Sequence, residues 1–458
     1  MDIHAKADFS KAKGKINPWL HCSGFGPYFS TRALRNNDNI LKSMHLTAAR
    51  THDWALVNSG QRVVDTHFVF PMMKLDPADP TNYYFKATDS LLKLTRDAGL
   101  DILYRIGSSI EHTGSAGHFN ILIPEDYDKY AEVVAGIVRH YNAGWADGFK
   151  WNIKYWEIWN EPDGITNCWA GNGEDAIVLR HKFVKLFVTI LKRLKAEFPK
   201  INVGGPALCW ANPEYFTEIL QECKKAGVAP DFISWHHYAC NPDILTDSPV
   251  AMRKLCDDLG FKKTKLIIDE WHYLMSWEGL HGNPRFASPD LAMRAQEGPA
   301  GHNNIDSATF NLYVMSKWLN GTPLDQAYYY GCNHQGHWGY MDGCGRLTKS
   351  YYSMKLMGEI VSSCDKIAAS EGLTPKIATL AAWSKDGKTA YLLVTEYRGI
   401  ENLINVEVKG VAKAKRVTAV ALDNSRDCLP VAVDFRDGVA TLIKDGQHSA
   451  AFLLKFEM

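Results

Sequence analysis

Short apolar runs alternate with longer amphipathic stretches over most of the chain. The short runs, such as Asp101–Ile106, are almost continuously apolar, which is typical of strands in a parallel sheet buried on both faces. The longer stretches repeat apolar residues with helical period, so that Tyr130, Val134 and Ile137 fall on one face. The pattern predicts strands at His21–Gly24, Leu46–His52, Asp101–Ile106, Lys154–Trp159, Asn202–Gly205, Phe232–His236, Lys265–Asp269 and Ala327–Gly331. Eight strands with helices between them predict an α/β fold of the (β/α)8, or TIM, barrel type.

The pattern changes near residue 363. From there on, short β-branched and aromatic segments such as Thr389–Tyr397 and Ala450–Phe456 are separated by turns rich in Gly, Asp and Asn. These segments predict a C-terminal antiparallel β-sandwich domain. Apolar positions also alternate near the N-terminus, which predicts a strand that joins this sandwich. The predicted organisation is an N-terminal strand in residues 1–15, a barrel in 16–362 and a β-sandwich in 363–458.

Two of the predicted barrel strands end on a glutamate. The run that begins at Lys154 stops at Asn160-Glu161-Pro162, where the proline cannot continue a central strand. The run that begins at Lys265 leads into Glu270. Active sites of these barrels lie at the C-terminal ends of the strands, so both carboxylates are expected at one pocket. Glycoside hydrolases use a pair of carboxylates for catalysis.

With these motifs the chain resembles the retaining glycosidases of clan A, and within it glycoside hydrolase family 39, which contains β-xylosidases and α-L-iduronidases. The resemblance implies that Glu161 is the general acid/base and Glu270 the nucleophile of a double displacement that needs no cofactor. Two other acids compete for these roles. Glu157 is expected deep in the barrel, paired with a buried base, and Asp269 is expected to face away from the pocket because side chains alternate along a strand.

The resemblance also implies a set of residues around the sugar. Asn160 would bond the 2-hydroxyl group, and His236 would line the pocket, while His237 is expected to be a packed core residue. Tyr238 would donate its hydroxyl proton to the nucleophile. Arg50 would lie near the nucleophile and lower its pKa.

Some expected sugar contacts rest on weaker signals. His52 and Asp53 are expected in the sugar subsite, although β-xylosidases of the family tend to carry glycine where Asp53 stands. Trp271 and Trp338 are expected to stack on sugar rings. Further candidates at the rim of the pocket are Glu111, His112, Trp159, Trp277 and His337.

The segment Cys332–Cys344 contains Cys, His and Asp side chains, which hints at a metal ion. The residues lack a recognised zinc spacing, so we expect a rim loop that faces the sugar and predict no metal. The ten cysteines contain no CxxC pair, which indicates free thiols.

Charge restricts the possible partners. Lys plus Arg and Asp plus Glu number 51 each, so a basic surface for nucleic acid or an anionic membrane is not expected. The N-terminal residues lack the apolar core of a signal peptide. The sequence leaves two compartments open, the cytoplasm, or a secreted or periplasmic location with the leader absent from this sequence.

The function predicted from the sequence is that of a retaining O-glycosyl hydrolase acting on an oligo- or polysaccharide of plant or host origin. A uronate would need a cation near its carboxylate, and the nominees are Arg50, Arg105 and Arg285. Arg50 is assigned to the nucleophile, so a neutral sugar such as xylose or arabinose is favoured. The alternatives are a uronic-acid-specific enzyme similar to iduronidase, another clan A glycosidase, a catalytically silent carbohydrate-binding barrel, and a zinc hydrolase. The oligomeric state is not predicted.

Overall fold

The computed structural model describes residues 2–24, 26, 38–52, 54–55, 62–108, 123–164, 174–275, 302–331, 338–341 and 346–458. Eight parallel strands close into a barrel in the order β10-β11-β2-β3-β6-β7-β8-β9. With strands numbered in chain order, the barrel strands are β2 (Cys22–Gly24), β3 (Ala48–Arg50), β6 (Asp101–Ile106), β7 (Tyr155–Ile158), β8 (Asn202–Leu208), β9 (Phe232–Ala239), β10 (Lys265–Tyr273) and β11 (Gln326–Tyr329). A short antiparallel pair, β4 (Trp54–Ala55) and β5 (Arg62–Val63), follows the second barrel strand.

The barrel strands are buried on both faces, which explains their apolar composition. Their inward side chains form a small core of their own that includes Leu103, Phe232 and Ile267. Their outward side chains, such as Trp156 and Ile268, belong to the large core shared with the surrounding helices. Because side chains alternate along each strand, one set of apolar residues fills the inside of the barrel and the other packs against the helices.

Helices surround the barrel and connect its strands. They are α1 (Asp38–Ser43), α2 (Thr66–Val69), α3 (Lys86–Asp97), α4 (Tyr127–Asn142), α5 (Ala176–Glu197), α6 (Pro213–Lys225), α7 (Pro242–Asp258), α8 (Ile305–Leu319) and α9 (Lys349–Ser363), with 3-10 turns at Pro18–Leu20 and Pro80–Asn82. Several begin at a residue whose side chain accepts a hydrogen bond from the first turn, as Asp126 does for α4 and Asn212 for α6. In the described parts of the chain, no helix combines the length and apolar character needed to span a membrane.

The remaining strands form one ten-stranded sheet in the order β17-β16-β20-β14-β13-β12-β1-β15-β19-β18. These strands are β1 (Ala5–Lys15), β12 (Cys364–Gly372), β13 (Ile377–Ser384), β14 (Thr389–Glu396), β15 (Leu403–Lys409), β16 (Arg416–Leu422), β17 (Asp427–Val431), β18 (Asp434–Arg436), β19 (Val439–Ile443) and β20 (Ala450–Glu457). The sheet curls around an apolar core that includes Phe9, Leu392, Val406 and Phe452. The predicted fold class, a TIM barrel with a C-terminal domain of mainly antiparallel strands, is confirmed. The predicted domain limits stay a prediction.

The N-terminal strand lies in the middle of this sheet. β1 pairs antiparallel with β12, where Ala5 lies opposite Gly372, and parallel with β15, where Ala5 lies opposite Val406. The pairing with β15 is the parallel exception in a sheet whose other described pairings are antiparallel.

The outer face of the sheet packs directly on the barrel. Leu380, Leu393 and Leu453 belong to the same apolar cluster as the barrel helices. Hydrogen bonds cross the junction, including one from the Tyr397 hydroxyl to the Cys240 carbonyl at 2.7 Å. The two domains therefore share a continuous apolar interface.

Candidate active site

Glu161 lies in a tight turn after the fourth barrel strand. β7 ends at Ile158, and the next residues include two with left-handed backbone, Trp159 (φ 79°) and Glu161 (φ 48°). Non-glycine residues adopt this conformation rarely, and it persists only where surrounding contacts enforce it. The backbone N–H of Glu161 donates to the carbonyl of Ala207 at 2.8 Å, which ties the turn to the end of β8.

A further set of hydrogen bonds connects this turn to the barrel interior. Ala207 also has left-handed backbone (φ 57°), and its N–H donates to the Ser234 hydroxyl at 3.0 Å. The same hydroxyl donates to Glu157 Oε1 at 2.7 Å. Glu161 is therefore connected through Ala207 and Ser234 to a fully buried carboxylate one layer deeper in the barrel.

Glu270 lies on the seventh barrel strand and is almost completely buried. One carboxylate oxygen accepts from Arg50 Nη1 at 2.7 Å and lies 3.4 Å from His52 Nε2. The other accepts from the Tyr238 hydroxyl at 2.5 Å. Donors therefore contact both oxygens, an arrangement that fixes the orientation of the carboxylate and stabilises its ionised form.

Arg50 connects the buried acids of the site. Its Nε donates to Glu157 Oε2 at 2.5 Å, and its Nη2 donates to Asn160 Oδ1 at 2.8 Å. The same Nη2 lies 3.2 Å from Asp269 Oδ2. One guanidinium group therefore contacts three carboxylates and the amide beside Glu161.

The prediction that Asp269 faces away from the pocket is wrong. Its Oδ2 lies 3.2 Å from Arg50 Nη2 and 3.3 Å from His236 Nε2. The pairing of β10 with β9 shifts register between Ile268 and Glu270. This irregularity interrupts the alternation of side chains, so that two consecutive acids turn toward the same cluster.

The charges around Glu270 set its protonation state. Burial opposes its ionisation, but the His236, His52 and Arg50 side chains outweigh burial and hold the pKa of Glu270 well below its usual range. Burial likewise opposes the charge of His236, yet Glu270 and Asp269 raise the pKa of that imidazole well above its usual value. Burial and the Glu270 charge raise the pKa of Tyr238, which keeps its hydroxyl a proton donor.

Glu161 occupies a different environment. Its side chain is partly exposed, at 16%, and His236 Nδ1 lies 2.8 Å from its Oε1. One carboxylate oxygen of Glu161, one of Glu270 and one His236 nitrogen all lie within 4.8 Å of one another. The two glutamates therefore face each other closely, one nearly enclosed by donors and the other partly open to solvent.

Such a trio of ligand atoms also has the dimensions of a metal site. Both Glu270 oxygens, however, already accept hydrogen bonds from Arg50 and Tyr238. A guanidinium group 2.7 Å from a ligand oxygen would repel a bound cation. The donor set therefore suits proton transfer and carbohydrate hydroxyls better than a metal ion.

The aromatic residues divide between the site and the core. Trp338 packs on Tyr238, with ring centroids 5.3 Å apart, and on Tyr330 at 5.6 Å, so it lies beside the site, and its contact with sugar stays a prediction. The prediction that Trp271 stacks on sugar is wrong. It is fully buried, with its ring 5.0 Å from that of Trp318 on α8, because the residue after Glu270 points out to the helical layer.

Other candidates are also placed or fall outside the described residues. Trp159 is a core residue packed near Phe183, and burial lowers the pKa of His237 to about 4, which keeps it neutral. Arg105 is buried in a 2.5 Å ion pair with Asp65. The candidates outside the described residues are Asp53, Glu111, His112, Trp277, Arg285, His337 and most of the loop Cys332–Cys344.

Sequence reasoning missed two contributors to the site. Tyr330 follows the eighth barrel strand, and its ring lies 5.8 Å from that of His52 and 6.0 Å from that of Tyr238. Ser234 supports the Glu161 turn. Its signal was its position two residues before His236, since alternation directs both side chains into the barrel.

The chain is similar to two known β-xylosidases over part of its length. The chain is 31% identical over 121 residues to a β-xylosidase of Geobacillus stearothermophilus, a match that covers 26% of this chain and 22% of that protein. It is 26% identical over 255 residues to a β-xylosidase of Caldicellulosiruptor saccharolyticus, covering 53% of this chain and 47% of that protein. The chain thus spans less than half the length of these relatives.

A solved structure and a family model extend the comparison. A glucosidase from Croceicoccus marinus has the same fold, with a TM-score of 0.76, 20% identity and 100% of both chains covered. The model of glycosyl hydrolases family 39 matches residues 3–270, which include both candidate glutamates. Because that match spans more than half of the sequence, the chain belongs to glycosyl hydrolases family 39.

Proposed function

We propose that the protein is a retaining O-glycosyl hydrolase in which Glu161 is the acid/base and Glu270 the nucleophile. The observation that carries the proposal is the spacing of the two carboxylates, because one oxygen of Glu161 lies within 4.8 Å of one oxygen of Glu270. Retaining glycosidases separate their two carboxyl groups by about 5–5.5 Å, whereas inverting enzymes need roughly 6.5–9.5 Å to accommodate a water molecule. The short separation supports direct attack by one glutamate on the sugar.

The environments of the two glutamates support the assignment of roles. A nucleophile has to be ionised, and Arg50, His52 and Tyr238 favour the carboxylate form of Glu270. An acid/base has to exchange protons with the leaving group and with water, and Glu161 is the more exposed of the pair. In the first step Glu270 attacks the anomeric carbon while Glu161 protonates the departing oxygen. In the second step Glu161 deprotonates a water molecule that releases the sugar from Glu270.

The buried residues around the pair support these steps. Asn160 is held by Arg50 beside Glu161, so its amide N–H2 group can donate to a sugar hydroxyl. His236 Nδ1 lies between the glutamates, 2.8 Å from Glu161 and 3.3 Å from Glu270.

We infer a neutral sugar such as xylose or arabinose in the pocket. The relatives named β-xylosidase support a pentose. A uronate would need a cation for its carboxylate, and of the nominated arginines that the structure describes, Arg50 contacts three carboxylates and Arg105 is paired with Asp65. The substrate is accordingly an oligo- or polysaccharide with a neutral sugar at the cleaved bond.

The roles can be tested with aryl glycosides of neutral and uronic sugars. Glu270→Ala should abolish turnover of every substrate. Glu161→Ala should retain activity on substrates with good leaving groups, which need no proton, and azide should partly restore its turnover. The configuration of the first product, followed by NMR, should match that of the substrate.

Four results would overturn the proposal. An inverted product would exclude the retaining mechanism, and equal losses in both variants on an activated substrate would exclude the division of roles. Cleavage of a uronic acid glycoside together with no neutral glycoside would identify the iduronidase-like alternative. Absence of all hydrolysis would identify a silent carbohydrate-binding barrel.

A further inference from the structure

Trp210 is an exposed aromatic residue at the catalytic end of the barrel. It follows β8 in the short connection to α6 and is 52% exposed. Among the tryptophans that the structure describes, Trp210 is the one whose surface is more than a third exposed to solvent. Five others are fully buried, namely Trp156, Trp159, Trp235, Trp271 and Trp318. An aromatic ring that is open to solvent offers an apolar face on which a ligand can pack.

The connection that carries Trp210 is fixed to the turn that carries Glu161. The N–H of Cys209 donates to Asp163 Oδ1 at 2.9 Å, and Glu161 donates from its own N–H to Ala207 at 2.8 Å. Cys209 also lies against this turn, because a Cβ placed on Gly164 would lie 3.2 Å from its Sγ. Trp210 is the next residue, so its ring is presented from backbone that contacts the Glu161 turn.

The same connection is held at its other end. The N–H of Asn212 donates to the Trp210 carbonyl at 2.7 Å, and the Asn212 side chain accepts from Tyr215 N–H at the start of α6. A backbone anchored at both ends loses little freedom when its side chain binds a ligand. The backbone of Trp210 is therefore held in place before a ligand binds.

The contact of this connection with the Glu161 turn indicates which part of the substrate Trp210 would meet. An acid/base glutamate donates its proton to the oxygen that leaves, so the ring attached to that oxygen lies on the Glu161 side of the cleaved bond. Exposed apolar residues also lie near the ends of the next two barrel strands, Ile244 in the first turn of α7 and Met275 after β10. The connection that carries Trp210 contacts the Glu161 turn, and Trp210 offers its flat aromatic face.

We propose that Trp210 is the stacking platform for the sugar ring on the leaving-group side of the cleaved bond. The proposal rests on the proposed function, because it takes Glu161 as the acid/base. The ligand class is a neutral sugar ring, whose C–H faces pack on an aromatic face. Trp210 accordingly selects substrates in which a further sugar follows the one in the pocket.

The test compares a substrate with and without a ring on that side. Trp210→Ala should lower kcat/KM for xylobiose about tenfold, mainly through a higher KM, because stacking of this strength contributes to ground state and transition state alike. The same variant should leave kcat/KM for xylosyl fluoride unchanged, since fluoride carries no ring. Trp210→Phe should keep most of the xylobiose activity.

Ile443→Ala, which removes an exposed apolar side chain from the sheet domain, is the matched control and should alter neither substrate. An unchanged xylobiose kcat/KM in Trp210→Ala would overturn the inference, as would equal losses on both substrates. Failure of the unmutated protein to cleave either substrate would instead refute the proposed function. Cleavage of the fluoride with no cleavage of xylobiose would exclude a sugar on the leaving-group side.

Discussion

Arg50→Met should reverse how the buried acid cluster responds to pH. Arg50 is 1% exposed and contacts Glu157 at 2.5 Å, Glu270 at 2.7 Å and Asp269 at 3.2 Å. Methionine has a similar length but no charge, so the variant leaves three buried carboxylates close to one another. His236, whose pKa is raised, then supplies positive charge beside Asp269 and Glu270. Unlike a surface ion pair, this cluster has no solvent to screen the lost charge.

The magnitude follows from burial. Removing one partner of a buried ion pair costs about 3–5 kcal/mol. For 458 residues, an unfolding entropy of roughly 2.1 cal/mol/K per residue corresponds to about 1 °C of Tm per kcal/mol. The variant should therefore melt about 3–5 °C below the unmutated protein at pH 8.

The pH dependence has a definite sign. In the unmutated protein the pKa of Glu270 is depressed, so its contribution to stability is present above the unfolded pKa and is lost only when pH falls through the lower folded value. Burial already raises the pKa of Glu157 to about 8 against the effect of Arg50. Without Arg50, the pKa of Glu157 should rise further and the pKa of Glu270 should lose part of its depression, because burial is then opposed by fewer positive charges. An acid with a raised pKa destabilises the fold as pH rises.

Thermal unfolding at pH 5 and pH 8 measures this effect. The Tm deficit of Arg50→Met should be largest at pH 8 and should shrink at pH 5, where Glu157 is protonated. Arg139→Met is the matched control, because Arg139 pairs with Glu197 at the surface and should contribute about 0–1 kcal/mol at either pH. A deficit as large at pH 5 as at pH 8 would refute the account of the cluster.

Two further predictions concern Glu270 and the sheet domain. Tyr238→Phe removes the hydroxyl that donates to Glu270 at 2.5 Å, so the pKa of Glu270 should rise, the acid limb of the kcat/KM profile should move to higher pH, and kcat/KM should fall about tenfold. Tyr84→Phe, at an exposed tyrosine, is the control and should change none of these quantities. An unmoved acid limb in Tyr238→Phe would show that this hydrogen bond does not lower the pKa of Glu270. Deleting residues 364–458 should give insoluble protein, because the sheet covers apolar surface of the barrel, and a soluble, fully active truncation would contradict the shared interface.

Local pattern was sufficient for the barrel and for the placement of Glu161 and Glu270 close to one another. Strand positions follow from apolar runs, and Glu161 is marked by the proline that ends its run. Arg50 and Tyr238 were assigned from the family resemblance, and the structure brings both to Glu270. These predictions depended on features within a few residues of each position.

The errors arose where distant strands decide the outcome. β10 was predicted to end at Asp269, yet it continues to Tyr273 because its last residues pair with β9 as far as Ala239. The same pairing contains the register shift that turns Asp269 into the cluster, and the extended strand directs Trp271 into the core. Neither the length of a strand nor a shift in its pairing is encoded in that strand alone.

The position of β1 between β12 and β15 makes the barrel an insertion within the sheet domain. A strand from the beginning of the chain joins two groups of strands from its end, and Ala5 must meet Gly372 across more than three hundred residues. The length-dependent entropy of closing such a loop is about 5 kcal/mol for a flexible chain. A folded barrel shortens that loop by holding its ends near one another. The sheet domain therefore depends on the barrel for its assembly. Strand β1 cannot pair with β12 and β15 until the last quarter of the chain is present.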